Sequence, residues 1–275
     1  MGYTGYRILR SWVTDPHCVR EDLLHLQELL GATDICGLTE LGAQQHDIVT
    51  GYSDWSSSYD EASNPFVELC YGSSLIVDAW TPTADETRVL DVGIGTGTGV
   101  PVDRPGVMWV GVDLNRDMLN VLSRRDIPVT VIQGDALALP FADASFDLLR
   151  CGFLLSHLPA LEPVLHELAR VLRPGGRLEI VDIHAHAIYT GAQGIYRTRT
   201  GGLGYVPVFP HLVSDHLKAA ASSALVVRNV EEIRWPQEAQ TSLGLIARNS
   251  VKTARPVVQS GEPALLQVSS RTTRE

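Results

Sequence analysis

A glycine-rich turn that directly follows an apolar run is the strongest chemical signal in this sequence. The run Val89–Val92 leads into Gly93, Gly95 and Gly97. Glycine lets the backbone approach a ligand closely and adopt positive φ angles. Asp113 ends the next apolar run, and an acid at that place can accept hydrogen bonds from both hydroxyls of a ribose. We therefore predict a nucleoside-binding site between the turn and Asp113.

The spacing of the glycines limits which nucleoside can bind. A dinucleotide site needs a third glycine three residues after the second. Here that position holds Thr98 or Val100, depending on which glycine is counted first. A pyrophosphate also needs a well-formed helix N-terminus, whereas Pro101 and Pro105 disfavour a long helix after the turn. The pattern favours a ligand without a pyrophosphate and argues against a nicotinamide-dependent oxidoreductase.

Four segments in chain order resemble the class I methyltransferases, and among them the ubiquinone/menaquinone-biosynthesis-like group called methyltransferase type 11. They are VLDVGIGTG at 89–97, GVDLNRDML at 111–119, GDALALPFADASFDLL at 134–149 and LARVLRPGGRLEIVD at 168–182. The resemblance implies S-adenosyl-L-methionine as cofactor. It also implies an S-adenosylmethionine-dependent methyltransferase that acts on a small molecule, such as a secondary metabolite or a quinone-like compound. Relatives usually carry a full helix after the glycine turn, and the two prolines depart from that pattern.

The resemblance also implies a set of cofactor contacts. The backbone of the glycine turn would line the methionine part, with Asp91 near its amino group, and Asp113 would hold the ribose. The other implied contacts are Leu114 and Ala136 beside the adenine, Asp135 on its amino group, Cys151, Gly152 and Phe153 near the sulfonium, and Tyr52 or Tyr59 from ahead of the turn. Plain packing of an N-terminal cap would explain the two tyrosines equally well.

Methyl transfer to an atom that carries a proton needs a base, and histidine titrates near neutrality. Asp182, His184 and His186 alternate at the end of a predicted strand, so they would share one face if the strand continued. Because ligands bind at the carboxyl ends of parallel strands, we expect His184 as the base, together with His211 late in the long insertion. His157, just after the fourth strand, is the third candidate. The alternative for each histidine is a structural role in which its ring is hydrogen-bonded. A divalent metal bound by Asp182, His184 and His186 is less favoured, so no metal is predicted.

The elements that position these residues alternate between strand and helix from residue 88 onward. Further apolar runs predict strands at Met108–Val112, Val129–Ile132, Asp147–Cys151, Arg177–Ile183, Ala224–Val230 and Pro263–Val268, and an apolar stripe predicts a helix at 160–172. The fold class is α/β, with a doubly wound, mostly parallel seven-stranded sheet. We predict a helical N-terminal cap at 1–85, with helices at 19–30 and after Pro65. The catalytic domain is 86–275, with a lid insertion at 185–222.

Composition limits the partners. The net charge of −10 and the scattered basic residues disfavour nucleic acid, since a protein that grips a phosphate backbone usually has a basic face. No apolar run approaches the roughly 20 residues that span a bilayer, and the N-terminus lacks the layout of a signal peptide. We expect a cytoplasmic protein that acts on a small-molecule substrate, without nucleic acid or membrane, and a homo-oligomer stays open. Methylation of a macromolecule and a non-methylating reaction with the same cofactor are the alternatives.

Overall fold

The computed structural model describes residues 19–21, 23–24, 42–61, 64, 81–100, 105–189, 191–234 and 263–272, the last range for its backbone. Most of the predicted 19–30 helix, all of the helix after Pro65 and the first of the two prolines that follow the glycine turn lie outside these residues. The strands are β1 Gln44–Gln45, β2 Arg88–Val92, β3 Met108–Asp113, β4 Val129–Gln133, β5 Phe146–Gly152, β6 Leu172–Ile183, β7 Gly194–Arg197, β8 Leu203–Val206, β9 Leu225–Arg234 and β10 Pro263–Thr272. The helices are α1 Ile48–Trp55, α2 Arg116–Leu122, α3 Glu162–Val171, α4 Ala185–Tyr189 and α5 Val213–Ser222.

A seven-stranded sheet in the order β4-β3-β2-β5-β6-β10-β9 forms the centre of the molecule. The strands from β4 to β6 pair in parallel, and β10 is antiparallel to both of its neighbours. Every strand predicted from an apolar run overlaps one of these seven. The arrangement confirms the predicted α/β, doubly wound, mostly parallel sheet.

Alternate residues of the central strands feed two hydrophobic cores. Leu90 of β2 and Leu149 of β5 belong to a core that also contains side chains of α3 and α5. Their neighbours Val89 and Leu148 point to the other face, where they join Trp109 and side chains of α2. Successive side chains of a strand point to opposite faces, so buried strands of a doubly wound sheet read as continuous apolar runs.

The connection from β2 to β3 begins as a series of turns. In its described parts, residues 93–100 and 105–107, no helix is formed. The glycine turn therefore does not continue directly into a helix.

The segment 185–222, predicted as a lid, is ordered into several elements. Helix α4 comes first, the hairpin β7–β8 follows, and α5 ends the segment as the helix that crosses to β9. The strand β6 stops at Ile183 and α4 begins at Ala185, so the expectation that Asp182, His184 and His186 share one strand face is wrong. Whether any part of this segment opens and closes, and whether the chain divides as predicted, stay predictions.

The hairpin β7–β8 meets the N-terminal segment. Strand β1 pairs in parallel with β8, which makes a small three-stranded sheet. Trp55 of α1 stacks on Tyr196 of β7, with ring centroids 5.3 Å apart and an interplanar angle of 14°. Among the described residues, no helix is long and apolar enough to cross a bilayer.

Candidate active site

A cavity of about 250 Å³ lies at the carboxyl ends of the central strands. One side is formed by the loops after β2, β3, β4 and β5. The other side is the N-terminal wall, by which we mean residues 48–60. The lining residues are Ile48, Val49, Tyr52, Tyr59, Val92, Gly93, Ile94, Gly95, Thr96, Val112, Asp113, Leu114, Asn115, Met118, Gly134, Asp135, Ala136, Leu137, Gly152, Phe153, Leu154, His157 and Leu158. Most of the predicted cofactor contacts are among them.

The glycine turn presents bare backbone to the cavity. Gly93 and Gly95 line it with φ angles of +76° and +55°. A Cβ atom on Gly93 would come within 2.7 Å of Leu154 Cδ1, so a side chain there would collide with the loop after β5. Gly97 does not line the cavity. A Cβ at that position would instead collide with Leu122 of α2. Packing against the helix and a φ angle of +75° therefore both favour glycine there.

Asp113 joins the glycine turn to the start of α2. Its Oδ2 atom accepts from the Gly95 N–H and its Oδ1 atom from the Asn115 N–H, each at 2.8 Å. Burial raises the pKa of the carboxyl group, and the two N–H donors oppose that rise. Each carboxylate oxygen has a second lone pair, so the group can accept further hydrogen bonds from a ligand in the cavity.

Two predicted cofactor contacts lie behind the cavity surface. Asp91 is buried and forms an ion pair with Arg150, with 3.4 Å between carboxylate oxygen and guanidinium nitrogen. Burial raises the pKa of Asp91, and Arg150 opposes that rise. Cys151 is also buried in the core. Among the described residues neither lines the cavity, whereas the predicted neighbours Gly152 and Phe153 do.

The far end of the cavity offers apolar surface. Leu114, Asp135 and Ala136 line it as the resemblance implies. Leu114 and Leu137 are 44% and 46% exposed although both side chains are large and apolar. Exposed apolar side chains beside a cavity are available to pack against a flat ring. The side chain of Asp135 accepts from the Leu137 N–H at 2.9 Å, which fixes this loop.

Tyr52 of α1 and His157 of the loop after β5 meet at the wall of the cavity. The Tyr52 hydroxyl and His157 Nε2 are 2.7 Å apart, and His157 Nδ1 lies 3.0 Å from the Pro207 carbonyl oxygen. A carbonyl oxygen can only accept, so Nδ1 carries the hydrogen and Nε2 accepts from the tyrosine. Burial lowers the pKa of His157 and raises that of Tyr52 well above its usual value. Both groups are therefore held neutral near pH 7.

A buried carboxylate supports His157 from behind. Asp182 accepts from the N–H groups of Ser156 and Ile183, both at 2.7 Å. Its negative charge favours the protonated form of His157 and so opposes the lowering of the histidine pKa by burial. From the sequence, Asp182 was grouped with His184 and His186. Its contact with Ser156, in the loop after β5, joins residues that are far apart in the chain and leaves no local pattern.

The two histidines ranked first from the sequence lie elsewhere. His184 accepts from the His186 N–H at 3.0 Å, and its Nε2 atom is 2.8 Å from Glu232. His211 Nε2 donates to the Leu158 carbonyl oxygen at 2.8 Å. Within the described ranges neither lines the cavity, and no group of three or more metal-binding side chains is positioned to hold an ion.

The sequence analysis missed Asn115. Its side-chain oxygen accepts from the N–H groups of Asp117 and Met118 and so caps α2. Its amide group donates to the Val49 carbonyl oxygen at 2.8 Å. An asparagine immediately before an apolar helical pattern is a recognised helix-start signal, so the cap could have been predicted, but its contact with α1 could not.

The cavity fits the cofactor that the resemblance implies. The turn leaves room for backbone contacts, Asp113 can accept from ribose hydroxyls, and the exposed leucines can cover an adenine. Nothing in this set requires a metal or a pyrophosphate.

Comparisons with known proteins agree with this assignment. Residues 90–180 match a family model described as a methyltransferase domain. A demethylmenaquinone methyltransferase of Paenarthrobacter aurescens (strain TC1) is 35% identical over 208 residues, which cover 70% of this chain and 74% of that protein. The protein of the same name from Renibacterium salmoninarum is 38% identical over 123 residues. In that case the match covers 44% of this chain and only about half, 51%, of the relative.

A solved structure supports the fold. The structure of an S-adenosylmethionine-dependent methyltransferase from Mesorhizobium loti superposes with a TM-score of 0.50. The match covers 73% of this chain and 98% of that one, at 20% sequence identity.

Proposed function

Because the chain belongs to the class I S-adenosyl-L-methionine-dependent methyltransferases, we propose that it methylates a reduced, quinone-like small molecule. The membership confirms the family and the cofactor predicted from the sequence. The observation that carries the substrate proposal is that Asp113 and the Tyr52–His157 pair line one cavity whose remaining surface is largely apolar. Such a cavity suits an aromatic substrate that carries a hydroxyl group.

The substrate class follows from the relatives and from chemistry. The relatives are named demethylmenaquinone methyltransferases, and a quinone ring is flat and apolar. An oxidised quinone is electron-poor, whereas the reduced quinol becomes a carbon or oxygen nucleophile once a hydroxyl loses its proton. We therefore propose that the quinol form is the methyl acceptor.

The bound cofactor supplies a methyl group activated by a positively charged sulfur. The chain holds the reacting atoms in line and keeps water away from them. We propose that the substrate hydroxyl gives its proton to the Tyr52 oxygen while Tyr52 passes its own proton to His157 Nε2. Asp182 then stabilises the imidazolium that results, and the Pro207 carbonyl holds its other nitrogen.

The experiment is a transfer assay with the chain, S-adenosylmethionine and chemically reduced naphthoquinones that lack the ring methyl group. We expect S-adenosylhomocysteine and a product heavier by one methylene. Replacing His157 by glutamine should lower kcat by about 10²-fold or more, because general base catalysis contributes 10²–10⁴, and should leave the Kd of S-adenosylhomocysteine unchanged.

His184→Gln is the matched control, because it tests the histidine preferred from sequence alone. An equal loss of kcat in the His184 variant would reject His157 as the base. Formation of S-adenosylhomocysteine without a methylated quinol would reject the substrate class. Action on a small molecule in the cytoplasm, without nucleic acid, is part of the same proposal, and the net charge of −10 supports it. A homo-oligomer is compatible with it.

A further inference from the structure

We infer that Asp60 is a positioning residue that fastens the N-terminal wall to the glycine turn and so couples substrate binding to cofactor binding. The inference rests on the proposed function, because it concerns the two halves of the same cavity. It assigns a role to a residue that no motif singles out.

The carboxylate of Asp60 connects three parts of the chain. Its Oδ1 atom accepts from the hydroxyl groups of Thr96 and Thr98, both at 2.7 Å. Its Oδ2 atom lies 2.9 Å from the guanidinium of Arg125, which follows α2. Arg125 also donates to the Thr98 hydroxyl at 3.3 Å. The side chain of Asp60, at the end of the N-terminal wall, is therefore hydrogen-bonded to two threonines in and next to the glycine turn.

These contacts reach the cavity from both directions. Thr96 is 1% exposed, follows Gly95 directly and lines the cavity. On the other side, Tyr59 precedes Asp60 and packs edge-on against Trp55, with ring centroids 5.1 Å apart. Tyr59 also lies 6.1 Å from the ring of Tyr52. A displacement of the turn would therefore be transmitted to the two tyrosines that line the substrate side.

Asn115 makes a second attachment of the same kind. Its backbone N–H donates to Asp113, and its side-chain amide donates to the Val49 carbonyl and to the Ser53 hydroxyl, at 2.8 and 3.1 Å. The residues on both sides of the predicted ribose site are thus hydrogen-bonded to one wall. A cofactor that orders the turn and Asp113 would favour the position that this wall has in the structure. By thermodynamic reciprocity, each ligand would then bind more tightly in the presence of the other.

The test measures hydrogen exchange of the whole chain with and without S-adenosylhomocysteine. In the wild type, the ligand should slow exchange both at residues 93–98 and at residues 48–60. In Asp60→Ala, it should still slow exchange at 93–98 but no longer at 48–60. In the transfer assay, KM for the quinol should rise by about tenfold, within the usual range of coupling factors, while kcat stays nearly constant. A general loss of folded protein would lower kcat instead.

Two further variants make the result specific. Asp60→Asn keeps a carbonyl oxygen for both threonine hydroxyls and loses mainly the partly exposed ion pair, which contributes little, so it should restore most of the coupling. Thr98→Val removes one of the two hydroxyl contacts and should produce a smaller rise in KM even if Asp60→Ala does not fold. Asp54→Ala is the control, because Asp54 lies in the same wall but pairs with Arg199, at 2.9 Å.

The outcomes separate the two proposals. Protection of residues 48–60 that persists in Asp60→Ala, or an equal loss in Asp54→Ala, would overturn the role of Asp60 and leave the proposed function intact. A wild-type chain that binds no S-adenosylhomocysteine would overturn both.

Discussion

Replacing Asp113 by alanine removes the central polar contact of the proposed cofactor site. In the structure, the carboxylate already accepts from the N–H groups of Gly95 and Asn115, each at 2.8 Å. Its remaining lone pairs would accept from two ribose hydroxyls. Hydrogen bonds to a charged group contribute about 1.5–3 kcal/mol each, so two of them amount to about 3 kcal/mol even at the lower limit. The Kd of S-adenosylhomocysteine should therefore rise by about 10²-fold or more.

The assay is calorimetric titration with S-adenosylhomocysteine, with circular dichroism to verify that the variant is folded. The second measurement is needed because the substitution also leaves the N–H groups of Gly95 and Asn115 without their acceptor, at a cost of about 1–3 kcal/mol in stability. Asp143→Ala is the matched control, because the Asp143 side chain is 71% exposed and pairs with Arg170 away from the cavity. The control should bind the ligand as the wild type does. A folded Asp113 variant with wild-type affinity would refute the assignment of the ribose site.

Three other predictions follow from single residues. Gly93→Ala should lower Tm and weaken S-adenosylhomocysteine binding, because the new Cβ would lie 2.7 Å from a Leu154 methyl group. Gly106→Ala, with φ of +88° but open space around it, should lower Tm less and leave binding unchanged in the same thermal melts and titrations. Burial lowers the pKa of His157. In a pH profile, kcat/KM should therefore fall toward acid pH with a midpoint below the ordinary histidine pKa of 6.5. A midpoint above 6.5 would contradict the assignment of His157 as a buried, neutral base. Burial lowers the pKa of His216 from 6.5 to about 4, so the unfolded chain binds a proton between these pH values that the folded chain does not. The contribution of His216 to stability should therefore decrease by about 3 kcal/mol as the pH falls from 6.5 to 4. Urea unfolding of wild type and His216→Leu across this range would test it, and an equally steep pH dependence in the variant would exclude His216 as its source.

Much of the fold could be predicted because buried strands leave a clear pattern. The apolar runs at β2 and β5 are continuous because both faces of these strands are covered. Asp113 and the glycine turn were found for a related reason, since each stands at the end of an apolar run. The sequence pattern and the family resemblance therefore named most of the residues that line this side of the cavity.

The part of the cavity that we propose for the substrate could not be predicted in the same way. His184 was preferred because alternation was read as a continuing strand, and the pattern does not reveal that the chain turns into α4 at that point. The partner of His157 is Tyr52, 105 residues earlier in the chain, and no local pattern connects them. Gly97 was assigned to the ligand because residue type does not tell which side of a turn a glycine faces.

The pairing of β1 with β8 has a consequence for the order in which the chain folds. Gln45 and Tyr205 also share a side-chain hydrogen bond across 160 residues of chain. Contacts between such distant positions form late in folding, since a large loop must close first. We therefore expect the parallel strands β2 to β6 to pair first and the small sheet that joins β1 to β8 to form afterwards. Under the proposed function, exchanging these two stretches together should change the acceptor preference, and the contacts of Asp60 and Asn115 would have to be kept to preserve binding of the methyl donor.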